Sequence, residues 1–157
     1  MFNNNSLTQK LLDNLKDSQE SIREKATAKL WMLWFRQKGE LGLETLRRAQ
    51  SFLEEGDVQR AKNILNDTIS MYPDFAEAWN RRAILYYSQK KFLKSREDCK
   101  QVVRLNPSHF GAWHGLGLCN AALGEYKEAI FAFRKALEIQ PHAIVNQKLI
   151  LECTMRL

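Results

Sequence analysis

Proline is scarce in this chain. There are three in 157 residues, Pro73, Pro107 and Pro141, so helices of ordinary length have room to run between them. Cysteine is equally rare. Cys99, Cys119 and Cys153 are odd in number and lack C-x-x-C spacing, which argues against a disulfide framework and for reduced, structural thiols in a cytosol-like compartment. No apolar run approaches the roughly 18 residues that span a bilayer. The polar start, Met1-Phe2-Asn3-Asn4-Asn5-Ser6, has neither the basic nor the apolar region of a secretory signal. A cytoplasmic protein without membrane association is the expectation.

Catalytic constellations are missing as well. His109, His114 and His142 have no H-E-x-x-H or other paired-ligand spacing, so no metal is expected. Gly115-Leu116-Gly117 falls inside a helical pattern with no strand before it, which excludes a phosphate loop. No serine or cysteine has a credible base nearby in sequence. The expectation is a protein that is not an enzyme and carries no cofactor.

What is present is a period. The three prolines are spaced 34 residues apart, and other positions repeat with them. Trp79 maps to Trp113, Ala83 to Gly117, Phe92 to Tyr126, Ser95 to Ala129 and Cys99 to Phe133. One period earlier, Ala49, Phe52, Val58, Ala61 and Leu65 hold the same offsets. Repetition at this length signals stacked supersecondary units, each unable to bury its own apolar face. Two antiparallel helices joined by a short turn must approach closely. Small residues at Ala49, Ala83 and Gly117 face Ala61, Ser95 and Ala129 and permit this, while large residues such as Trp79, Trp113, Tyr86 and Phe133 fill the space between pairs. Glycine marks the turns at Gly56 and Gly124, and Lys90 takes that place in the middle unit.

In order, residues 1–6 are expected to be a disordered tail. A short helix carries Leu7, Leu11, Leu12 and Leu15. A longer one runs from Ser18 to Gln37 with an apolar stripe at Ile22, Ala26, Leu30, Leu33 and Trp34, widened by Trp31 and Phe35, and Gly39 and Gly42 stop it. Residues 7–41 read as an N-terminal helical extension or a degenerate capping repeat, with Trp31, Trp34 and Phe35 either packed in its core or forming an exposed partner patch. Helices follow over 43–55, 58–71, 75–89, 92–105, 109–122 and 126–139, and the segment 142–157 reads as a C-terminal capping helix.

These residues resemble the tetratricopeptide repeat. The third unit carries that family's pattern most fully: Trp113, Leu116, Gly117, Gly124, Tyr126, Ala129, Phe133, Ala136 and Pro141, with Asn120 where the family prefers an aromatic. The resemblance covers three repeats over 42–141 (42–75, 76–109 and 110–141). It implies an all-α fold, a right-handed α-solenoid of stacked antiparallel helix pairs whose first helices line a concave groove for a peptide or partner helix. On the matching positions, the partner-binding groove would present Arg47, Gln50, Glu54, Glu77, Asn80, Arg81, Ile84, Tyr87, His114, Leu118 and Lys148. Some members clamp a chaperone's C-terminal carboxylate with Lys, Asn and Arg. The corresponding positions here hold Leu46, Gln50, Arg81, Gly111 and Gly115, so that clamp is absent. The phrase around Phe75–Ala83 is also similar to small bacterial and plastid proteins of this class, which adds the plastid stroma as a location should a transit peptide have been removed.

The leading expectation is a non-catalytic adaptor for a protein or peptide partner, an acidic one by the convergence of Arg47, Arg81 and Lys148. The formal charge of +6 supports an alternative, an RNA- or DNA-binding helical-repeat protein. Homo-oligomerisation through the terminal helices is a third expectation.

Overall fold

The computed structural model describes residues 4–157. Among the described residues all regular structure is helical: α1 (Asn4–Asn14), α2 (Glu20–Phe35), α3 (Gly39–Glu54), α4 (Val58–Met71), α5 (Ala76–Ser88), α6 (Phe92–Leu105), α7 (Phe110–Ala122), α8 (Tyr126–Ile139) and α9 (Ile144–Thr154). Of the stretch expected to be disordered, residues 1–3 lie outside the described residues, while Asn4, Asn5 and Ser6 open α1.

From α3 onward the helices form antiparallel pairs, α3/α4, α5/α6 and α7/α8, with α9 against the last pair. The crossings are tight. Ala49, Ala61, Ala83, Ser95 and Ala129 are all buried, and the Ser95 hydroxyl donates to the Ala83 carbonyl at 2.7 Å. A Cβ added at Gly117 would fall 2.4 Å from the Phe133 ring, so only glycine fits there.

The second and third repeats are also tied to the preceding turn. Trp79 Nε1 donates to the Pro73 carbonyl at 2.9 Å and Trp113 Nε1 to that of Pro107 at 2.7 Å. The prolines end one unit while their carbonyls anchor the next, which gives the indole N–H the partner it needs. Gln147 makes the same contact to Pro141 at 3.5 Å, so α9 starts as a further first helix would. Arg82 on α5 grips Asp98 on α6 with two hydrogen bonds, at 2.8 and 2.9 Å, and reaches Asn66 on α4 at 2.9 Å. Three helices are joined by one guanidinium, whose charged state the Asp98 hydrogen bond favours.

Gly42 does not stop α2. It lies inside α3, buried, where a Cβ would come within 3.3 Å of the Phe75 ring. The stop is Gly39, at φ +66. The pair α1/α2 folds back over the array. Leu11, Leu15, Ala26 and Leu30 cluster with Phe110 at the start of α7 and with Ile139 at the end of α8.

The three intra-pair turns all need a left-handed residue: Gly56 at φ +81, Gly124 at φ +80 and Lys90 at φ 58. A side chain in that region costs about 1–2 kcal/mol. Lys90→Gly is therefore expected to raise stability by about 1 kcal/mol, after the larger unfolded-state entropy of glycine is offset. That corresponds to a thermal midpoint higher by roughly 2–4 °C, read by calorimetry.

Candidate functional site

The first helices of the pairs, α3, α5 and α7, line the inner wall. In sequence their wall-facing residues are an irregular mixture, and the structure shows why. The first turns of α5 and α7 are covered by α2. This helix is 16 residues, about 24 Å long, and runs along the stack. Thr27 accepts a 3.4 Å hydrogen bond from Gln140 at the α8–α9 turn, and Phe35 at its other end lies under the Arg81 guanidinium, 5.0 Å from the ring centre. Between them, Trp34 stacks on the His109 imidazole with centroids 4.5 Å apart. Trp31 meets His109 and Phe110 edge-on at 5.2 and 5.4 Å. Gly111 makes room for Trp31, since a Cβ there would lie 2.9 Å from its Cη2.

Beneath the aromatic layer is a buried polar knot. Glu77 on α5 is 0% exposed, as is His109. His109 Nδ1 accepts the Ala112 backbone N–H at 3.0 Å and caps α7. Nε2 therefore carries the proton and donates to Glu77 Oε1 at 2.5 Å. Asn80 Nδ2 donates to the same carboxyl group at 3.3 Å, and Arg81 Nε stands 3.7 Å from Oε2 without a hydrogen-bond acceptor of its own. The knot fixes the first turns of α5 and α7 to each other across one repeat interface.

Below α2 the wall stays open as two cavities. One, about 350 Å³, lies between α5 and α7; Ile84, Tyr87, Leu118, Asn80 and His114 line it, Ser95 and Cys99 of α6 form its floor, and Trp31 closes one end. The other, about 390 Å³, lies between α3 and α5 and is lined by Leu46, Arg47, Gln50 and Arg81 together with Met32 and Phe35 of α2. The two differ in chemistry: the first is mostly apolar, the second carries two guanidinium groups.

The residues expected at the groove are thus divided. Asn80, Ile84, Tyr87, His114 and Leu118 meet in the α5/α7 cavity, and Arg47, Gln50, Glu54 and Arg81 in the α3/α5 cavity. Glu77 does not face an open groove, because His109 and α2 cover it. Lys148 is exposed on α9 and lines neither cavity. His109 is a cap, and a buried one. His114 is not a free contact residue, since its Nδ1 pairs with Asn146 Oδ1 of α9 at 2.7 Å. Trp31, Phe35, Gly111 and Asn146 belong to the site and were absent from the expected set. A hint existed: two glycines at wall positions of α7 leave a hollow that something must fill, and three aromatics within five residues of α2 are more than a stacked cap needs.

Among the described residues, no three His, Cys, Asp or Glu side chains converge as a metal site, the three cysteines are free and buried, and no helix is long and apolar enough to cross a membrane.

Two sequence models described as the tetratricopeptide repeat match the chain, over residues 46–107 and 111–143. A TPR repeat-containing protein of Rhizobium etli is 29% identical over 132 residues, covering 83% of this chain and 65% of the relative. Anaphase-promoting complex subunit 3 of Schizosaccharomyces pombe is 27% identical over 105 residues, covering 67% of this chain and 15% of that protein. The chain spans less than two-thirds of the length of either. Among solved structures, the first TPR of Spaghetti (RPAP3) bound to the HSP90 peptide SRMEEVD superimposes with a TM-score of 0.69 at 22% identity, over 72% of this chain and 90% of that one. The Sgt2 TPR domain from Aspergillus fumigatus gives 0.66 at 18%, over 72% and 76%. Both likenesses are of fold: stacked helix pairs in a solenoid.

His109→Leu removes a donor from a buried carboxyl group and the cap of α7 together. The expected loss is about 3 kcal/mol in urea denaturation. The Glu77→Leu, His109→Leu double variant is expected to lose less than the sum of the two single variants, because replacing both partners leaves no orphaned polar group.

Proposed function

The chain belongs to the tetratricopeptide-repeat family, and on that premise we propose that it is a non-catalytic adaptor holding a segment of a partner protein against its inner wall. The observation that carries this reading is the α5/α7 cavity. It is concave and mostly apolar, with Asn80 and His114, each already hydrogen-bonded within the chain, as its polar lining. Its rim exposes Ile84 at 55% and Tyr87 at 36%. A trough of this kind takes a large apolar side chain and orients it with few hydrogen bonds.

One repeat away, Arg47 and Arg81 offer charge-assisted donors to a carboxylate. The partner segment that fits both carries an apolar anchor for the first cavity and an acidic residue for the second. The nucleic-acid alternative has less support from this wall. A groove that tracks a phosphate backbone is lined with cations along its length, and no Lys or Arg lines the α5/α7 cavity.

Several structural neighbours are described as bound to HSP90 or HSP70 peptides. Transfer of that ligand to this chain is not favoured. Gly111 and Gly115 stand where the resemblance places the clamp's cations in the third repeat, and Trp31 lies over Gly111.

Two outcomes check the reading. Benzoylphenylalanine placed at position 87 or 118 is expected to photocrosslink to a protein partner in lysate of the native cell, and at position 93 on α6 to give no such adduct; equal labelling at all three moves the site off the wall. Calorimetric titration with the peptide SRMEEVD is expected to show no saturable heat, and saturable binding would restore a carboxylate-clamp reading.

A further inference from the structure

The seats of α2 are specific. Gly111 receives Trp31, His109 receives the flat face of Trp34, and Arg81 lies over Phe35. These aromatics stand at i, i+3 and i+4 and so share one helix face. The wall here is therefore a receptor for a helix with large aromatics at that spacing, and the chain supplies one such helix itself.

The attachment of α2 to the array is mostly of this kind. Among the described residues, its side-chain hydrogen bonds to the array, those of the following turn included, are the 3.4 Å contact of Thr27 with Gln140, the Arg36–Glu40 ion pair at 2.5 Å, that of Gln37 to the Asp74 carbonyl at 3.1 Å, and the Lys38–Asp74 ion pair at 2.6 Å. The last three belong to the turn at 36–38 that joins α2 to α3, where Gly39 sits at φ +66. The ion pair holds the Asp74 carboxyl below the usual carboxylate range, chiefly through the Lys38 hydrogen bond. α2 is thus bound at one end by the turn into α3 and along its length by ring contacts and by Ala26 and Leu30, which are buried with Phe110 and Ile139. It also leaves the wall incompletely filled. The 350 and 390 Å³ cavities continue from Trp31 and Phe35, and Ile84 and Tyr87 stay uncovered.

We propose that α2 is an exchangeable resident of the inner wall, and that the protein partner docks by replacing it with a helix of its own that bears aromatics at i, i+3 and i+4 and a further apolar residue for the α5/α7 cavity. The proposal rests on the reading of the wall as a protein-binding surface and names what that surface selects. A tethered helix competes at an effective concentration on the order of millimolar. The partner helix prevails by filling the cavity that α2 leaves open.

The probe is a fluorescein-labelled peptide with the sequence of residues 18–36, followed by anisotropy against the full chain. The expected result is binding at least tenfold tighter to a Trp31→Ala, Trp34→Ala, Phe35→Ala variant than to the unaltered protein, and loss of that binding when Gly111→Met is added. Equal binding to both proteins, or to neither while the triple variant keeps its helical circular dichroism, overturns the proposal. Should the triple variant not fold, hydrogen exchange on the unaltered chain decides. Amides of α2 are expected to exchange ahead of those of α5 and α7, and exchange of α2 only with the whole array overturns the proposal. A concentration-dependent dimer dissolved by the peptide would give the seat to a second copy and overturn the assignment to a foreign partner. Crosslinking from positions 87 and 118 is independent of these readouts. Its failure alone removes the open cavity as a contact, while the peptide's failure alone leaves the cavity in use beneath a fixed α2.

Discussion

A pair of amphipathic helices cannot cover both of its own faces, and that constraint organises the whole molecule. Each pair must lend one face to the next, so the array grows by stacking until something polar or atypical ends it. α9 performs this for the last pair, where Cys153, Leu149 and Ile150 close over Phe133 and Ile130. At the other end the chain takes a different course. Its first two helices turn back and cover the inner wall where α5 and α7 begin. Stacking thus accounts for the solenoid, and the uncovered remainder of one wall accounts for the site.

The Glu77–His109 pair links these two parts. A carboxyl group with no solvent exposure is costly unless its lone pairs are met. Here a histidine and an asparagine from two adjacent repeats meet them, with the Arg81 guanidinium 3.7 Å away as a neighbouring charge. Such a bond between first turns constrains how α5 and α7 are splayed, and so sets the width of the cavity below. Arg82 does the corresponding work on the opposite side of α5, through Asp98 and Asn66. The middle repeat is held by polar contacts on both sides, where Ser95 and Cys99 stand at positions that hold Ala129 and Phe133 in the next.

The period, the helix pairs and the turns were legible in the sequence because a repeat writes its nearest-neighbour contacts at fixed offsets. Pro73, Pro107 and Pro141 suffice to set the register, and Lys90 could be placed at a left-handed turn because Gly56 and Gly124 hold its equivalents. What was not legible lies off the period. Trp34 meets His109, and Thr27 meets Gln140, across separations that no repeat encodes. Glu77 reads as a groove residue until His109 and α2 are placed over it. Gly42 reads as a helix stop, since a glycine needed for the close approach of Phe75 looks the same in one dimension as a glycine needed for a turn. Lys148 holds the right offset for the groove, but neither cavity extends to α9.

The composition of the covered floor bears on how removable its cover is. If Trp34 lay on leucine and valine, lifting α2 would expose apolar surface on both sides at about 25 cal/mol per Å². It lies instead on an imidazole, and beneath that on a carboxyl group and an amide. On release these groups keep their bonds to one another and gain water at the uncovered edge, so little is lost there. The apolar surface uncovered on release includes Phe110 and Ile139 of the array, with Ala26, Leu30 and the rings of α2, and a competing helix covers the array's share in kind. A partly polar floor under an aromatic lid therefore lowers the difference in free energy between covered and open states, while the array keeps the clusters that join its own helices. The same floor makes the wall selective. A helix without aromatics forfeits the stacking on His109 and Arg81 and cannot displace the resident, so the chain's own helix sets the threshold that any partner must exceed.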